Sequence, residues 1–248
     1  MTNAAVDLAD LPDPTIYPVE DDMGEGILQR LISEAFRPLL ARFLATQART
    51  AFVGADQFFY WEKYNATQCV SPDVYAVPCE PPPASLGAWK VWKEGVVPFF
   101  ALEIVSTDIE KDYLRSPARY ARLGVEELVV FDPDFEASPR RERLQVFRPQ
   151  PDGTFEVQAT RSDRVESKAL GCWLVTVGEG LDTRIRVGTG SRGEVLFPTA
   201  EEQAESARRE AESARREAES SHRNAEAERR ARQELEAEIA RLRAALKR

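Results

Sequence analysis

The sequence contains few of the residues that zinc centres and nucleophilic triads require: one histidine and three cysteines among 248 residues. The histidine, His222, lies in a charged C-terminal segment, which excludes histidine-based triads and histidine-rich metal centres. Cys69, Cys79 and Cys172 lack the close pairs of a zinc site. Because their number is odd and the chain shows no export signal, we expect reduced thiols.

Long apolar runs are also missing. No segment approaches the roughly 20 apolar residues of a membrane-spanning helix. The N-terminal residues do not show a basic region followed by an apolar core, the pattern of a secretory signal. We therefore expect a cytoplasmic protein without a membrane-spanning part.

Positive charge is scarce in most of the chain. Residues 201–248 hold 12 acidic and 12 basic residues, so the remaining 30 acidic and 21 basic residues carry the whole formal charge of −9. Proteins that bind nucleic acids generally neutralise phosphates with a positive surface. The charge balance therefore weakens the expectation of a nucleic-acid partner, which a local positive groove or a metal ion beside the acidic residues would restore.

Two apolar segments each contain one acidic residue. Residues 71–77 and 99–106 are rich in β-branched and aromatic residues, which predicts core strands, and they carry Asp73 and Glu103. Burying an ionised carboxylate is costly unless a partner charge or a metal compensates it. The pair therefore suggests a site for a divalent cation. The alternative is that each carboxylate faces solvent from an edge strand or pairs with an arginine.

The segment after Glu103 predicts a βαβ-type unit. Residues 106–123 are polar and then helix-patterned, Gly124 marks the end of the helix, and residues 128–133 form another apolar run. The ordered motifs Pro-Asp, Glu-x-x-Ser, Tyr-Ala-Arg-Leu-Gly-Val and Val-Phe-Asp-Pro resemble the Uma2 (Uma-two) family of restriction endonucleases. That family belongs to the PD-(D/E)XK nuclease superfamily, and the resemblance covers roughly residues 20 to 190.

The resemblance implies an α+β fold with a restriction-endonuclease-like mixed central sheet flanked by helices. It also implies an endonuclease that uses Mg²⁺ or Mn²⁺ and has DNA as its substrate. Asp73 and Glu103 match the acidic residues that hold the metal in the superfamily. Glu25 matches an acidic residue of the first helix that can also reach the metal. The alternative for Glu25 is an acidic residue placed favourably at a helix N-terminus.

One position departs from the family pattern. Similar family members carry a lysine in the helical pattern Asp-x-x-x-Lys-x-x-x-Tyr, and this chain has Ser116 there. Pro117 is favoured as a first helical residue with Ser116 as its N-cap, which predicts a loop before it. Lys111 or Arg115 in that loop would supply the missing positive charge. The alternative is a catalytically impaired nuclease fold that serves as a scaffold or protein-interaction module.

The remaining segments complete a three-part organisation. Residues 1–22 predict an extended lead-in, and residues 23–198 a nuclease-like domain that begins with an amphipathic helix over about 24–46. Residues 51–61 predict the first core strand, joined by a hairpin to the strand of Asp73. Short strands after Pro133 are expected to extend the sheet as antiparallel ribbons.

Residues 199–248 predict a long charged helix with a heptad repeat. Glu-to-Arg pairs four residues apart support such a helix. The apolar stripe near its end favours a coiled coil that joins two copies into a homodimer, and its residues are Leu235, Ile239, Leu242 and Leu246. The alternative is a solvated single helix, because alanine at most other core positions buries little surface.

Overall fold

The computed structural model describes residues 13–18, 26–106, 109–152 and 154–245. The chain divides into two compact units, Met1–Phe197 and Pro198–Arg248. The first unit mixes helices with sheets, so the predicted α+β class is confirmed. Of the predicted lead-in over residues 1–22, only residues 13–18 are described, and they form neither helix nor strand.

The first helix, α1, spans Ile27–Thr46 and contains Pro38. Its apolar residues recur every three or four positions, so they form one buried stripe. The buried apolar residues are Ile32, Phe36, Leu39, Leu40, Phe43 and Leu44. Complete burial of such side chains stabilises the fold by about 1.5–3 kcal/mol each, which makes this stripe a main support of the first unit.

Short strands are the most numerous elements in the described part of the first unit. The described strands are β1 (Phe52–Gly54), β2 (Phe59–Tyr60), β3 (Cys69–Val70), β4 (Val74–Val77), β5 (Trp89–Lys90), β6 (Phe100–Ile104), β7 (Glu127–Phe131), β8 (Leu144–Pro149), β9 (Phe155–Thr160), β10 (Arg164–Ser167), β11 (Cys172–Val177), β12 (Arg184–Thr189) and β13 (Val195–Leu196). A short helix, α2 (Val91–Glu94), follows β5, and α3 (Ser116–Leu123) lies between β6 and β7.

The six-stranded central sheet is mixed and has the order β1-β4-β6-β7-β8-β9. Only β6 and β7 pair in parallel among its neighbouring strands. A parallel pair needs a crossover, and α3 supplies it. This helix ends at Leu123, and Gly124 takes the left-handed conformation with φ 93°. The predicted βαβ unit and its glycine stop are therefore present.

The prediction of one strand over residues 51–61 was wrong. That segment contains β1, which pairs with β4 in the central sheet, and β2, which pairs with β3 and β5 in a separate three-stranded sheet. Asp56 lies between them with φ 51°, a left-handed conformation that cannot continue a strand. The hairpin joins β2 to β3 instead of connecting one long strand to the segment of Asp73.

The later strands divide between two sheets. β8 and β9 extend the central sheet as predicted, but β10, β11, β12 and β13 form a second, antiparallel sheet. Val165, Leu174 and Val187 of this second sheet join the same buried cluster as residues of α1 and the central sheet. The second sheet thus helps to close the core over α1, which an extended ribbon would not do.

The second unit contains α4, which spans Ala200–Ala245. Thr199 and Glu202 form a capping box: the Glu202 amide donates to Thr199 Oγ1 at 3.2 Å, and the Thr199 amide donates to Glu202 Oε2 at 2.8 Å. Leu235 and Ile239 are exposed. Leu246 and the side chain of Leu242 lie outside the described part, so pairing of two copies stays a prediction.

None of the described helices combines the length and the apolar character that crossing a bilayer requires. The three cysteines are free thiols.

Candidate functional site

Asp73 directly precedes β4, and Glu103 lies in β6, the neighbouring strand of the central sheet. β4 and β6 are antiparallel, with Val74 opposite Leu102 and Tyr75 opposite Ala101. The same register, continued by one residue, brings Asp73 opposite Glu103. Residues directly opposite in an antiparallel pair point to the same face. Neither strand is at an edge of the sheet, so the alternative of two solvent-facing edge carboxylates does not hold.

Both carboxylates are buried: Asp73 is 4% exposed and Glu103 is 7% exposed. Asp73 accepts hydrogen bonds from the Gln29 side-chain amide at 2.5 Å and from the Ile104 backbone amide at 2.5 Å. The first bond ties the carboxylate to the start of α1, and the second ties it to β6 next to Glu103. These two donors hold Asp73 in one orientation at the end of its strand.

Glu103 accepts a hydrogen bond from the hydroxyl of Tyr120 on α3. Burial raises the pKa of Tyr120 well above its usual range, and the charge and hydrogen bond of Glu103 raise it further. The charges of Asp73 and Asp112 act in the same direction. The phenol therefore remains a proton donor at neutral pH, and three carboxylates act electrostatically on it.

A buried helical stripe faces this group. Asp112, Ser116 and Tyr120 follow one another at intervals of four residues and are all nearly inaccessible to solvent. Asp112 accepts hydrogen bonds from the Ser106 amide at 2.8 Å and the Ser106 hydroxyl at 3.1 Å. The family lysine position thus lies on the inward face of the helix, where this chain presents a hydroxyl and no charge.

The predicted loop before Pro117 is wrong. Residues Lys111–Arg115 form a π-helix that continues directly into α3, and α3 begins at Ser116 without a side-chain N-cap. Pro117 therefore follows a turn of π-helix instead of opening the helix, and it has no N–H group to donate to that preceding turn. Single π-helical turns are frequent at functional sites, since they shift side chains relative to the regular helical face.

The structure describes the other predicted site residues only in part. Arg115 is exposed on the last residue of the π-helix, directly before Ser116. Lys111 begins the same π-helix, but its side chain lies outside the described part. Glu25 also lies outside the described residues, so its role near a metal stays a prediction.

The composition of this group suits magnesium. Mg²⁺ prefers oxygen ligands and keeps several waters, so one or two protein carboxylates suffice to hold it. Asp73 and Glu103 offer such oxygens from neighbouring segments of the central sheet. Within residues 13–18, 26–106, 109–152 and 154–245, no group of three or more His, Cys, Asp or Glu side chains forms a richer cage. The donors fit Mg²⁺ or Mn²⁺ better than zinc, which prefers nitrogen and sulfur.

The family model named Uma2 and described as "Putative restriction endonuclease" matches residues 18–177, which include this whole group. The chain belongs to the Uma2 family. Among solved structures, this Uma2 protein is similar to "a putative nuclease belonging to DUF820" from Anabaena variabilis. The identity is 16%, the TM-score is 0.41, and the match covers 60% of this chain and 76% of that chain. No curated protein matches the sequence.

Two contacts in the site of this Uma2 protein were not predicted from the sequence: Gln29 with Asp73, and Tyr120 with Glu103. Gln29 lies on α1 between Leu28 and Arg30, and no local pattern connects it with Asp73, 44 positions later. Asp112 and Tyr120 were visible in the Asp-x-x-x-Ser-x-x-x-Tyr spacing. Their intervals of four residues could have indicated a common inward face together with Ser116.

Proposed function

We propose that this Uma2 protein is a metal-dependent endonuclease that hydrolyses phosphodiester bonds of DNA, with Asp73 and Glu103 holding Mg²⁺ or Mn²⁺. One observation carries the proposal: two buried carboxylates, Asp73 directly before β4 and Glu103 in the neighbouring β6, act on the same buried Tyr120 hydroxyl within the segment that matches the restriction-endonuclease family. A bound divalent ion would lower the pKa of a water molecule and neutralise charge on the phosphate.

The chain's own residues have distinct roles in this proposal. Gln29 and Ile104 orient Asp73, while Tyr120 orients Glu103, so the two ligands are positioned before a metal arrives. An ionised carboxylate offers about four acceptor positions, so hydrogen bonds can orient it while it still serves as a ligand.

Lys111 or Arg115 would provide the positive charge that the family lysine normally supplies. Both belong to the π-helix that leads into Ser116, and a cation there would stabilise negative charge developing on the phosphate. A guanidinium group offers several N–H donors and no acceptor, so Arg115 could bind phosphate but could not act as a base.

A second function has one observation in its favour. Ser116 is buried and neutral at the family lysine position, which favours a catalytically impaired fold that serves as a scaffold or protein-interaction module. In either case we propose that α4 joins two copies, since Leu235 and Ile239 are exposed at heptad-related positions. A cytoplasmic location belongs to the same proposal and agrees with the three free thiols.

Cleavage of plasmid and single-stranded DNA with Mg²⁺ or Mn²⁺ tests the enzyme directly. We expect the full-length protein to cleave DNA. Asp73→Asn and Glu103→Gln should each lower the cleavage rate by more than roughly 100-fold, which is the most that loss of a residue supporting a metal ligand typically costs. Glu166→Gln, a change of an exposed carboxylate on β10, is the matched control and should keep activity. Absence of both cleavage and calorimetric Mg²⁺ uptake in the full-length protein would reject the endonuclease and leave the scaffold.

A further inference from the structure

The strand β9 forms one edge of the six-stranded central sheet, next to β8. It spans six residues, Phe155–Thr160, whereas β1 at the opposite edge spans three. Six consecutive residue pairs join β9 to β8 without a bulge. Within the part of the chain that the structure describes, no strand pairs with the other side of β9. A long and regular edge of this kind is able to hydrogen-bond to another strand.

Alternate residues of β9 turn their backbone groups away from β8. The Gln150 amide donates to the Thr154 carbonyl at 2.8 Å, where the two strands approach the turn that joins them. In an antiparallel pair, hydrogen-bonded positions recur at every second residue, so the even-numbered residues of β9 bond to β8. The N–H and C=O groups of the odd-numbered residues therefore point to the outer edge, and these residues are Phe155, Val157 and Ala159.

The side chains of β9 do little to protect this edge. Natural edge strands are commonly protected by lysine, by proline, by a bulge or by short length. The strand reads Phe-Glu-Val-Gln-Ala-Thr and contains neither lysine nor proline. Its one charged residue, Glu156, accepts from Lys168 Nζ at 2.6 Å and from Arg148 Nη1 at 3.2 Å. Val157 is 53% exposed, so an apolar side chain lies at the accessible edge.

The strand is complementary to a second copy of itself. In an antiparallel pairing centred on Val157, Phe155 of one copy lies opposite Ala159 of the other, a large residue against a small one. Glu156 lies opposite Gln158, so no like charges meet. A pairing centred on Glu156 would place two carboxylates opposite each other, and one centred on Gln158 would carry Phe155 past the end of the second strand. Size, charge and strand length therefore select the pairing around Val157.

This contact is small. The two strands would share about six backbone hydrogen bonds, two at each hydrogen-bonded residue pair. A standard interface uses about 20–30 residues on each side, so six-residue strands would hold separate chains together only weakly. Two copies that are joined elsewhere present each edge to the other at a high effective concentration. The pairing is therefore expected where α4 already holds two chains together.

We propose that the β9 strands of two joined copies pair with each other around Val157, so that two six-stranded sheets become one continuous sheet. The inference rests on the proposed joining of two copies by α4, and it adds the surface through which their first units meet. It does not depend on nuclease activity, because β9 carries neither Asp73 nor Glu103.

Cysteine cross-linking of the full-length protein tests the register. In the pairing around Val157, the two Cα atoms of this residue lie about 5.5 Å apart, a distance that a disulfide spans. Val157→Cys should therefore form a covalent dimer under mild oxidation. Ala159→Cys, on the same strand and face, is the matched control, because its two copies lie about 13 Å apart along the strands. It should cross-link at least tenfold more slowly, and wild type with its three free thiols gives the background.

Sedimentation equilibrium before oxidation separates the two possible failures. Suppose that the protein is a dimer and that Val157→Cys cross-links no faster than Ala159→Cys or than wild type. The β9 pairing is then overturned, while the joining of two copies by α4 still holds. A monomeric full-length protein would overturn both proposals.

Charge changes at Gln158 test which residues lie opposite each other. Gln158 is exposed, so its replacement in the Val157→Cys protein leaves the core of each copy unchanged. Gln158→Glu brings a second carboxylate opposite Glu156 at two places in the pair, so cross-linking should slow about fivefold. Gln158→Arg, the matched change of opposite charge, should keep or raise the rate. Equal rates in the two variants would contradict the pairing of Glu156 with position 158.

Discussion

The Tyr120 hydroxyl donates a hydrogen bond to the Glu103 carboxylate, and both side chains are buried on the same side of the central sheet. The helix that carries Tyr120 is thereby connected to the strand that carries one of the two proposed metal ligands. Any change in this bond should affect both the stability of the fold and the position of the ligand.

Replacement Tyr120→Phe should reduce the free energy of unfolding by about 1–3 kcal/mol, because Glu103 loses a buried hydrogen-bond donor. It should also weaken Mg²⁺ binding about 10- to 100-fold, as the loss of an outer-shell partner typically does. Urea denaturation and calorimetry measure the two effects. Tyr64→Phe, at an exposed tyrosine, is the control. Unchanged metal affinity would mean that Tyr120 is purely structural.

Alkaline pH should destabilise the protein through its buried tyrosines. Burial raises the pKa of Tyr120 well above 10 and raises the pKa values of Tyr60 and Tyr113 to about 12. The unfolded chain therefore releases these protons at lower pH than the folded protein does. Stability is fully present below pH about 10 and is lost as pH rises toward the folded pKa values. Urea denaturation between pH 8 and 11 should show this loss, with a smaller slope in Tyr120→Phe.

Restoring the family lysine with Ser116→Lys should raise cleavage activity, because position 116 lies on the inward face between Asp112 and Tyr120. The nearby carboxylates would compensate the charge of the new ammonium group. Ser116→Met, with similar length and no charge, is the control. If the wild-type protein already cleaves DNA, loss of cleavage in Arg115→Ala or in Lys111→Ala would instead identify the residue that supplies the positive charge. If all these proteins are inactive with both metals, the scaffold function gains support.

Arg148→Met should be strongly destabilising. Glu127 is 1% exposed and accepts from Arg148 Nε at 2.7 Å, from the Ser167 hydroxyl and from the Lys168 amide at 3.0 Å. Removing the arginine leaves a buried charge without its ionic partner, which costs about 3–5 kcal/mol. Arg215→Met, on the exposed α4, should cost less than about 1 kcal/mol. Denaturation curves give the free energy of unfolding of both variants. An equal loss in Arg148→Met and Arg215→Met would contradict the prediction.

Deleting residues 200–248 should convert a dimer into a monomer. The deletion removes the exposed Leu235 and Ile239, which would pack against the second helix of a pair. Sedimentation equilibrium measures the mass of the full-length and truncated proteins. A double change, Leu235→Ser with Ile239→Ser, should have the same effect without removing the helix. If either variant keeps the same number of chains per particle as the full-length protein, α4 does not join two copies.

Several predictions from sequence were correct because local patterns carried them. The apolar segments around Asp73 and Glu103 do form neighbouring strands, since β-branched and aromatic residues suit a buried sheet. The periodic apolar residues of 27–46 form α1, and Gly124 ends α3 as expected. The Glu-to-Arg spacing of the tail is realised in pairs such as Glu205 with Arg209.

Other features depended on contacts between distant residues. Nothing in the local pattern at residues 51–61 required a left-handed Asp56, which is stabilised where its amide donates to the carbonyl of Pro72 at 3.0 Å. The π-helix over Lys111–Arg115 is equally invisible in a pattern of apolar residues. It is accommodated because Asp112 is held by Ser106 and Tyr113 by Asp132.

The sequence by itself determined the elements that hold the two acidic residues and the charged helix at the C-terminal end, because periodicity and propensity act over a few neighbouring positions. Only the tertiary structure decided that Gln29 bonds to Asp73, that Tyr120 bonds to Glu103, and that Ser116 is buried. These relationships arise from packing between distant parts of the chain, such as Gln29 and Asp73, which are 44 positions apart. No local pattern specifies them.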